Sequence, residues 1–413
     1  MVTYIKRKVI PLGFEPKTHA LEGRCSIQLS YGTDLLLLNE RAKVRKKRDT
    51  ERVFACFFKQ NAENKRLIRQ ERVIFRTFEL SIYAHNMEQI IKWGFIGCGQ
   101  VTEQKSGPAF AKVANSRIEA VMSRSIDKAK SYAERHGISK YYADAQELID
   151  DPEVNAVYIA TPPSSHATYA IMSLKSGKPC YVEKPLAASY DECQRINRIS
   201  KATGVTCFVA YYRRDLEYFR KVKELVKSGV IGKVLTVIIR FAVPPRDLDY
   251  NRDNLPWRVQ RDIAGGGYFY DLAPHQIDLL QDIFGPIVRA QGYTSNGAGL
   301  YHTEDTVSAS FQFANGIPGA GSWCFVAHDS AKTDRIEIVG DKGQICFSVF
   351  TYQPIALHTV DGRQEFVMTN PEHVQMPMIQ NVVNYLRHEG TCTSDCVSAT
   401  SVNWVMDKIL GKM

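Results

Sequence analysis

A chain of 413 residues, 44% of them hydrophobic, has material for about two or three domains with sizeable cores. Its formal charge of +9 is gathered at one end: 18 of 53 basic and 9 of 44 acidic residues precede Met87, leaving 35 of each sign beyond it, so the main body has no electrostatic case for nucleic acid. No apolar run nears the roughly 18 residues of a membrane span, and ten scattered cysteines without a C-x-x-C pair exclude a structural zinc framework and point to reduced thiols in a cytoplasmic protein with no metal site.

Residues 1–86 differ in character from the rest of the chain. The basic run RAKVRKKRD, Arg41 to Asp49, shows no period of a strand or helix. It suits a basic arm or a mitochondrial presequence, although interspersed acidic residues count against the latter, and Leu35 to Leu38 is too short for a signal peptide. A third reading rests on Gly13-Phe14-Glu15-Pro16 followed by LEGRCSIQLSYGT, which resembles a tRNA T-arm translated by mistake. The segment is then a spurious or disordered extension, and Met87 is the true start.

From Met87 strands and helices alternate, as βαβ units do. Trp93 to Ile96 is an apolar strand that runs into Gly97-Cys98-Gly99 and a helix-ready segment. This is the strand, tight turn and helix start that cradle a dinucleotide pyrophosphate, with Gly97 making the turn, Gly99 admitting the phosphates, and the backbone at Gln100 and Val101 opening the helix. Thr102 replaces the third glycine of G-x-G-x-x-G, and Pro108 is expected to break the first helix early. Further strands lie at Arg117 to Met122, Ala156 to Ala160, Pro179 to Val182 and Thr206 to Ala210. Helices lie between them at Ile126 to His136, Asp144 to Asp150, His166 to Ser176 and Tyr190 to Thr203. The loops after Ile96, Met122, Ala160 and Val182 should face one crevice.

Beyond Tyr211 a helix at Lys221 to Ser228 precedes alternating strands at Lys233 to Val243, Thr306 to Phe313, Gly321 to Ala327, Arg335 to Val339, Gln344 to Val349 and Ile355 to Val360. They predict a largely antiparallel sheet with one covered face. Pro377 to His388 and Ser398 to Leu410 read as closing helices. The fold class is therefore α/β: a Rossmann dinucleotide-binding domain over 87–211, then an α+β domain over 212–413 with a large, mostly antiparallel sheet.

Four stretches, GFIGCG, ATPPSSH, YVEKP and GGGYFYDLAPHQIDLL, together resemble the Gfo/Idh/MocA family of NAD(P)-dependent oxidoreductases, from about Met87 to the C-terminus. The resemblance implies hydride transfer between nicotinamide and a hydroxyl or carbonyl carbon of a sugar, polyol or related small molecule, and a homo-oligomer. It implies a catalytic role for Lys184 near the nicotinamide, for His275 as general acid and base, and for Asp271 in orienting substrate or histidine. Asp271 is read as the cap of the helix that carries His275. Thr161, Pro162, His166, Glu183 and Lys184 are placed at the cofactor, and Tyr212, Arg213 and Arg258 on the substrate side.

After the second strand, where NAD-selective sites place an acidic residue, stand Ser123 and Arg124. A hydroxyl and a guanidinium suit a 2′-phosphate, so NADP(H) is favoured and NAD(H) remains possible, with Arg124 then a solvated charge and Asp127 on the ribose. A glycosidase using nicotinamide for transient oxidation and a non-catalytic nucleotide sensor are the alternatives, and fold alone does not choose among them. N-terminal sequencing of purified native protein should find Met87 first; a peptide beginning well upstream refutes the spurious-extension reading.

Overall fold

Two sheets organise residues 90–413, the part of the chain that the computed structural model describes. The expectations for residues 1–86 and for a start at Met87 lie outside the described residues. The first sheet comprises β1 (Ile91–Ile96), β2 (Ser116–Met122), β3 (Lys140–Tyr142), β4 (Ala156–Ile159), β5 (Cys180–Val182) and β6 (Cys207–Val209), in the order β3-β2-β1-β4-β5-β6. Every pairing is parallel. Chain order therefore reverses between β1 and β4, which puts the ligand crevice at their carboxyl ends.

Both faces of this sheet are covered, so β1 and β4 are apolar runs rather than alternating ones. Phe110 meets Trp93 and Phe95 edge-on, each at 4.9 Å between ring centroids, a geometry that aromatic quadrupoles favour. The helices between these strands are α1 (Gln100–Gln104), α2 (Gly107–Lys112), α3 (Ile126–His136), α4 (Ala145–Asp150), α5 (His166–Lys175) and α6 (Tyr190–Thr203). The chain breaks between α1 and α2 and Pro108 opens α2, as its missing N–H allows. Ser125 caps α3 by accepting from the Lys128 N–H.

After α7 (Glu217–Lys227) the second sheet is built from β7 (Val234–Ala242), β8 (Ile287–Ser295), β9 (Thr306–Phe313), β10 (Pro318–Cys324), β11 (Thr333–Gly340), β12 (Gly343–Phe347), β13 (Ile355–Thr359) and β14 (Gly362–Phe366). Its order is β14-β13-β12-β11-β7-β10-β9-β8, antiparallel except where β10 runs parallel to β7. Three strands escape the sequence reading. β3 has only three residues, and β8 and β14 are mostly exposed, so neither carries an apolar alternation.

Between the sheets run α8 (Arg261–Ala264) and α9 (Tyr268–Phe284); α10 (Met376–Leu386) and α11 (Cys396–Ile409) close the fold. Leu279 and Leu280 of α9 are fully buried. This helix starts one turn earlier than expected: Gly267 is its N-cap, Asp271 lies in the first turn, and Pro274 is inside the helix. The triple-glycine turn can approach its neighbours closely enough to begin the helix there; a Cβ on Gly267 would come within 2.6 Å of the Thr303 hydroxyl.

The last helix ties the two halves together. Asp407 accepts from the Tyr190 N–H at 2.8 Å and from the Tyr270 hydroxyl at 2.6 Å, while Asn403 donates to the Ala187 carbonyl at 2.9 Å. Among the described residues, no helix is long and apolar enough to cross a membrane. Asp407→Ala strands a half-buried N–H and a buried hydroxyl, each costing about 1–3 kcal/mol. We expect roughly 3 kcal/mol of lost stability, read as a lower urea midpoint with an unchanged slope.

Candidate active site

At the end of β1 the Gly97 N–H donates to the Met122 carbonyl at 2.9 Å, and Gly97 turns the chain at φ +112°. A Cβ there would press to 2.8 Å on the Ala160 carbonyl, so the turn after β1 lies directly against the loop after β4. A Cβ on Gly99 would meet no atom within 4 Å. The chain leaves a cradle on that side, next to the first-turn N–H groups of α1, at Gln100 and Val101, which no helical carbonyl can satisfy. Open space, free N–H donors and a helix start suit the diphosphate of a dinucleotide.

Thr102 occupies the third-glycine position without spoiling the turn, because its hydroxyl folds back to donate to the Gly99 carbonyl at 2.8 Å. The close approach usually granted by that glycine has moved to Gly107, where a Cβ would come within 2.0 Å of the Thr102 carbonyl oxygen. Sequence reasoning missed Gly107 in this role, although the Gly107-Pro108 pair was its signal. Ser123 is half-buried and Arg124 is exposed, and Arg124 has no ion-pair or hydrogen-bond partner among the described residues.

The loop after β4 and the loop after β5 are joined by one buried imidazole. His166 Nε2 is 2.7 Å from the Thr161 carbonyl, and its Nδ1 is 2.9 Å from that of Pro185. Pro162 precedes the short turn that opens α5. Glu183 turns away from the crevice: its carboxylate accepts from the Tyr158 hydroxyl at 2.7 Å and from Gln375 at 3.0 Å. Any contact of Glu183 with a cofactor is thereby left to its backbone.

Lys184, next in the chain, crosses from the first sheet to α9. Its ammonium is 2.7 Å from the Asp271 carbonyl oxygen and 2.7 Å from Asp271 Oδ1. Asp271 Oδ2 accepts from Arg258 Nε at 3.1 Å, and the Arg258 guanidinium stacks on Trp257. Burial by itself pushes the Asp271 carboxyl up, but the Lys184 and Arg258 cations outweigh it and hold it down at about 2. Asp271 thus clamps Lys184 and Arg258 and does not orient His275, as the sequence reading had allowed. Two of the three ammonium donors of Lys184 are engaged, which leaves one for a ligand.

His275, one turn further on α9, stands among rings. Its imidazole lies 5.6 Å from Tyr212, 5.9 Å from Phe350 and 6.5 Å from Tyr211, each edge-on. Nδ1 is enclosed and has no hydrogen-bond partner. Burial, reinforced by the cations of Arg213 and Lys184, pushes its pKa well below the ordinary value. The ring is therefore neutral and able to take a proton. Phe350 carried no signal in the sequence, since it arrives from a loop 75 residues away in the chain.

Arg213 and Arg214 are both buried but differ in what they meet. Arg214 holds Asp278 in a fork, with Nε to Oδ2 at 2.9 Å and Nη2 to Oδ1 at 2.5 Å; burial opposes its charge, and the carboxylate more than restores it. Arg213 lies between Tyr212 and Phe350, with its guanidinium 4.9 Å from each ring centroid. The structure thus gathers Lys184, Asp271, Arg258, His275, Tyr212 and Arg213 around one place, and sets Asp278 and Arg214 apart as a structural pair.

Residues 91–211 match the profile described as oxidoreductase family, NAD-binding Rossmann fold, and residues 219–346 match the GFO/IDH/MocA C-terminal domain. An oxidoreductase of Formosa agariphila is 38% identical over 325 residues, covering 79% of this chain and 100% of its own length. Myo-inositol 2-dehydrogenase of Thermotoga maritima is 31% identical over 233 residues, 53% of this chain and 64% of that one. In fold, the structure of a levoglucosan dehydrogenase in complex with NADH and levoglucosan aligns with a TM-score of 0.70 at 22% identity, covering 78% of this chain and 96% of that one. With both halves matched in order and a full-length relative at this identity, the chain belongs to the Gfo/Idh/MocA family and is an NAD(P)-dependent oxidoreductase.

Proposed function

We propose that this enzyme moves hydride to or from a carbon bearing a hydroxyl or carbonyl in a sugar, polyol or related small molecule, with NADP(H) preferred over NAD(H). The observation that carries the reading is the Lys184 ammonium held at 2.7 Å on Asp271, one turn before a buried neutral His275. Relatives named 1,5-anhydro-D-fructose reductase, myo-inositol 2-dehydrogenase and levoglucosan dehydrogenase support the substrate class. Bound nicotinamide would supply the carbon that accepts or returns the hydride.

The chain's own part is proton handling and positioning. In the oxidative direction neutral His275 takes the proton of the substrate hydroxyl, while the free donor of Lys184 steadies the developing charge on that oxygen. In the reverse direction the same two groups return it. Asp271 is a positioning residue that holds Lys184 in place. Gly97, Gly99, Gln100 and Val101 would hold the diphosphate, Thr161, Pro162, His166 and the Glu183 backbone would shape the nicotinamide side, and Tyr212, Arg213 and Arg258 would line the substrate.

Exposed, unpaired Arg124 beside Ser123 supports the 2′-phosphate reading. Cysteines that are all free among the described residues suit a reducing, cytoplasmic compartment. Exposed Leu235, Val288 and Tyr293 on β7 and β8 support a homo-oligomer.

Thermal unfolding of the enzyme titrated with NADPH and with NADH should show the larger rise with NADPH, as mass action requires of the tighter ligand. Arg124→Ala should weaken NADPH by roughly 10- to 100-fold, the worth of a charged hydrogen bond, and unchanged NADPH affinity in that variant overturns the preference. His275→Gln should lower kcat by about 100-fold or more. It should also change how stability depends on pH. The folded His275 pKa lies well below 6.5, so below that pH the unfolded chain binds a proton that the folded one refuses, and stability falls as pH falls. Without this group, Tm measured between about pH 7 and pH 5 should decline less steeply than in the wild type; equal slopes would place His275 outside that linkage.

A further inference from the structure

Two consecutive arginines, Arg213 and Arg214, are taken out of water at the edge of the site, at 5% and 9% exposure. Buried charges are as a rule paired with opposite charge. Arg214 follows the rule, with both of its Asp278 contacts made. Arg213 does not. Its Nε donates to the Val349 carbonyl at 3.1 Å and its Nη1 to the Tyr212 hydroxyl at 2.8 Å; neither acceptor carries a negative charge, and Arg213 has no carboxylate partner among the described residues. Its Nη2 makes no hydrogen bond among the described residues and is not enclosed.

The surroundings of Arg213 place this open end on the substrate side. Tyr212 and Phe350, the rings that flank its guanidinium, are also the rings that flank His275. One turn before His275 on α9, the Lys184 and Arg258 cations share a single carboxylate, Asp271. Of these three cations Lys184 and Arg258 pair with Asp271, and Arg213, the most deeply buried of them, pairs with no carboxylate among the described residues. A planar guanidinium clamped between two rings has lost its rotational freedom and presents a fixed donor edge, which matches the two oxygens of a carboxylate.

We propose that the substrate of this enzyme is a sugar acid, whose carboxylate pairs with Arg213 while the carbon that exchanges hydride lies at His275 and Lys184. This rests on the reading of the site as a sugar or polyol dehydrogenase and adds the acidic group to it.

The test is binding to the full-length enzyme saturated with NADPH, by calorimetry, of D-glucuronate, D-galacturonate and D-gluconate against D-glucose, D-galactose, D-sorbitol and D-glucose 6-phosphate. The expected result is that at least one of the three acids binds roughly 10- to 100-fold more tightly than its neutral counterpart, the range of one charge-assisted pair. Arg213→Gln should bring the two affinities together, and Arg213→Lys, which keeps the charge and loses the fork, should retain part of the difference and show that the position tolerates exchange. Acids that bind no better than neutral sugars, tighter binding of the phosphate ester alone, or an acid preference that survives in Arg213→Gln each overturns the proposal. Titration with NADPH alone keeps the two readings apart: loss of cofactor binding defeats the oxidoreductase mechanism proposed above, whereas intact cofactor binding with a preference for neutral sugars defeats only the carboxylate.

Discussion

The Lys184 ammonium has been carried out of the first sheet and set down on Asp271 of α9, and most of the site is arranged by that contact. It joins a residue at the end of β5 to one 87 positions later in the chain, with both side chains about 15% exposed. An ion pair at this depth loses much of its hydration, and the loss is offset only when the remaining oxygens and protons find partners. Asp271 meets that condition with Lys184 on one oxygen and Arg258 on the other. The contact therefore sets both the distance between the two halves of the enzyme and the direction in which the free donor of Lys184 points.

The rest of the fold holds this arrangement in place. His166 spans the loops after β4 and β5, fixing the backbone from which Lys184 departs. Glu183, beside it, is anchored inward on Tyr158 and Gln375. On the opposite side Asp407 and Asn403 of α11 hold the start of α6 and the neighbouring segment, and bind α9 through Tyr270. Hydrogen bonds of this kind are individually modest, but each satisfies a buried group that would otherwise be costly to leave alone.

Electrostatics then divide the labour. Lys184 acts on both groups, helping with Arg258 to keep Asp271 ionised and with Arg213 to keep His275 neutral, which suits the separate roles proposed for them. The phosphate turn is solved separately and with an unusual distribution of parts: Thr102 satisfies the Gly99 carbonyl, and Gly107 supplies the close approach that a third glycine would have made. The requirement was for space and a donor-rich turn, and this chain meets it with different residues.

What the sequence determined by itself is five of the six strands of the first sheet and the turns that end them. Apolar runs ended by Gly97, Thr161-Pro162 and Lys184-Pro185 can only be buried strands that break at one edge, and β1, β4 and β5 are found there. The spacing of Asp271 and His275 likewise put both on one helix. β8 and β14 stayed hidden because their side chains are mostly exposed: they are held by ladders to neighbouring strands, which leave no pattern in a single strand's side chains. The start of α9 was misplaced because close packing at Gly267 outweighed the capping preference of Asp271. Only the tertiary structure could decide which residues share charge. Arg213 and Arg214 are adjacent and chemically identical, yet only Arg214 meets a carboxylate, 64 positions away on α9. Whether a buried cation finds its counter-ion depends on distances through space, which the packing of α9 sets and no local pattern records.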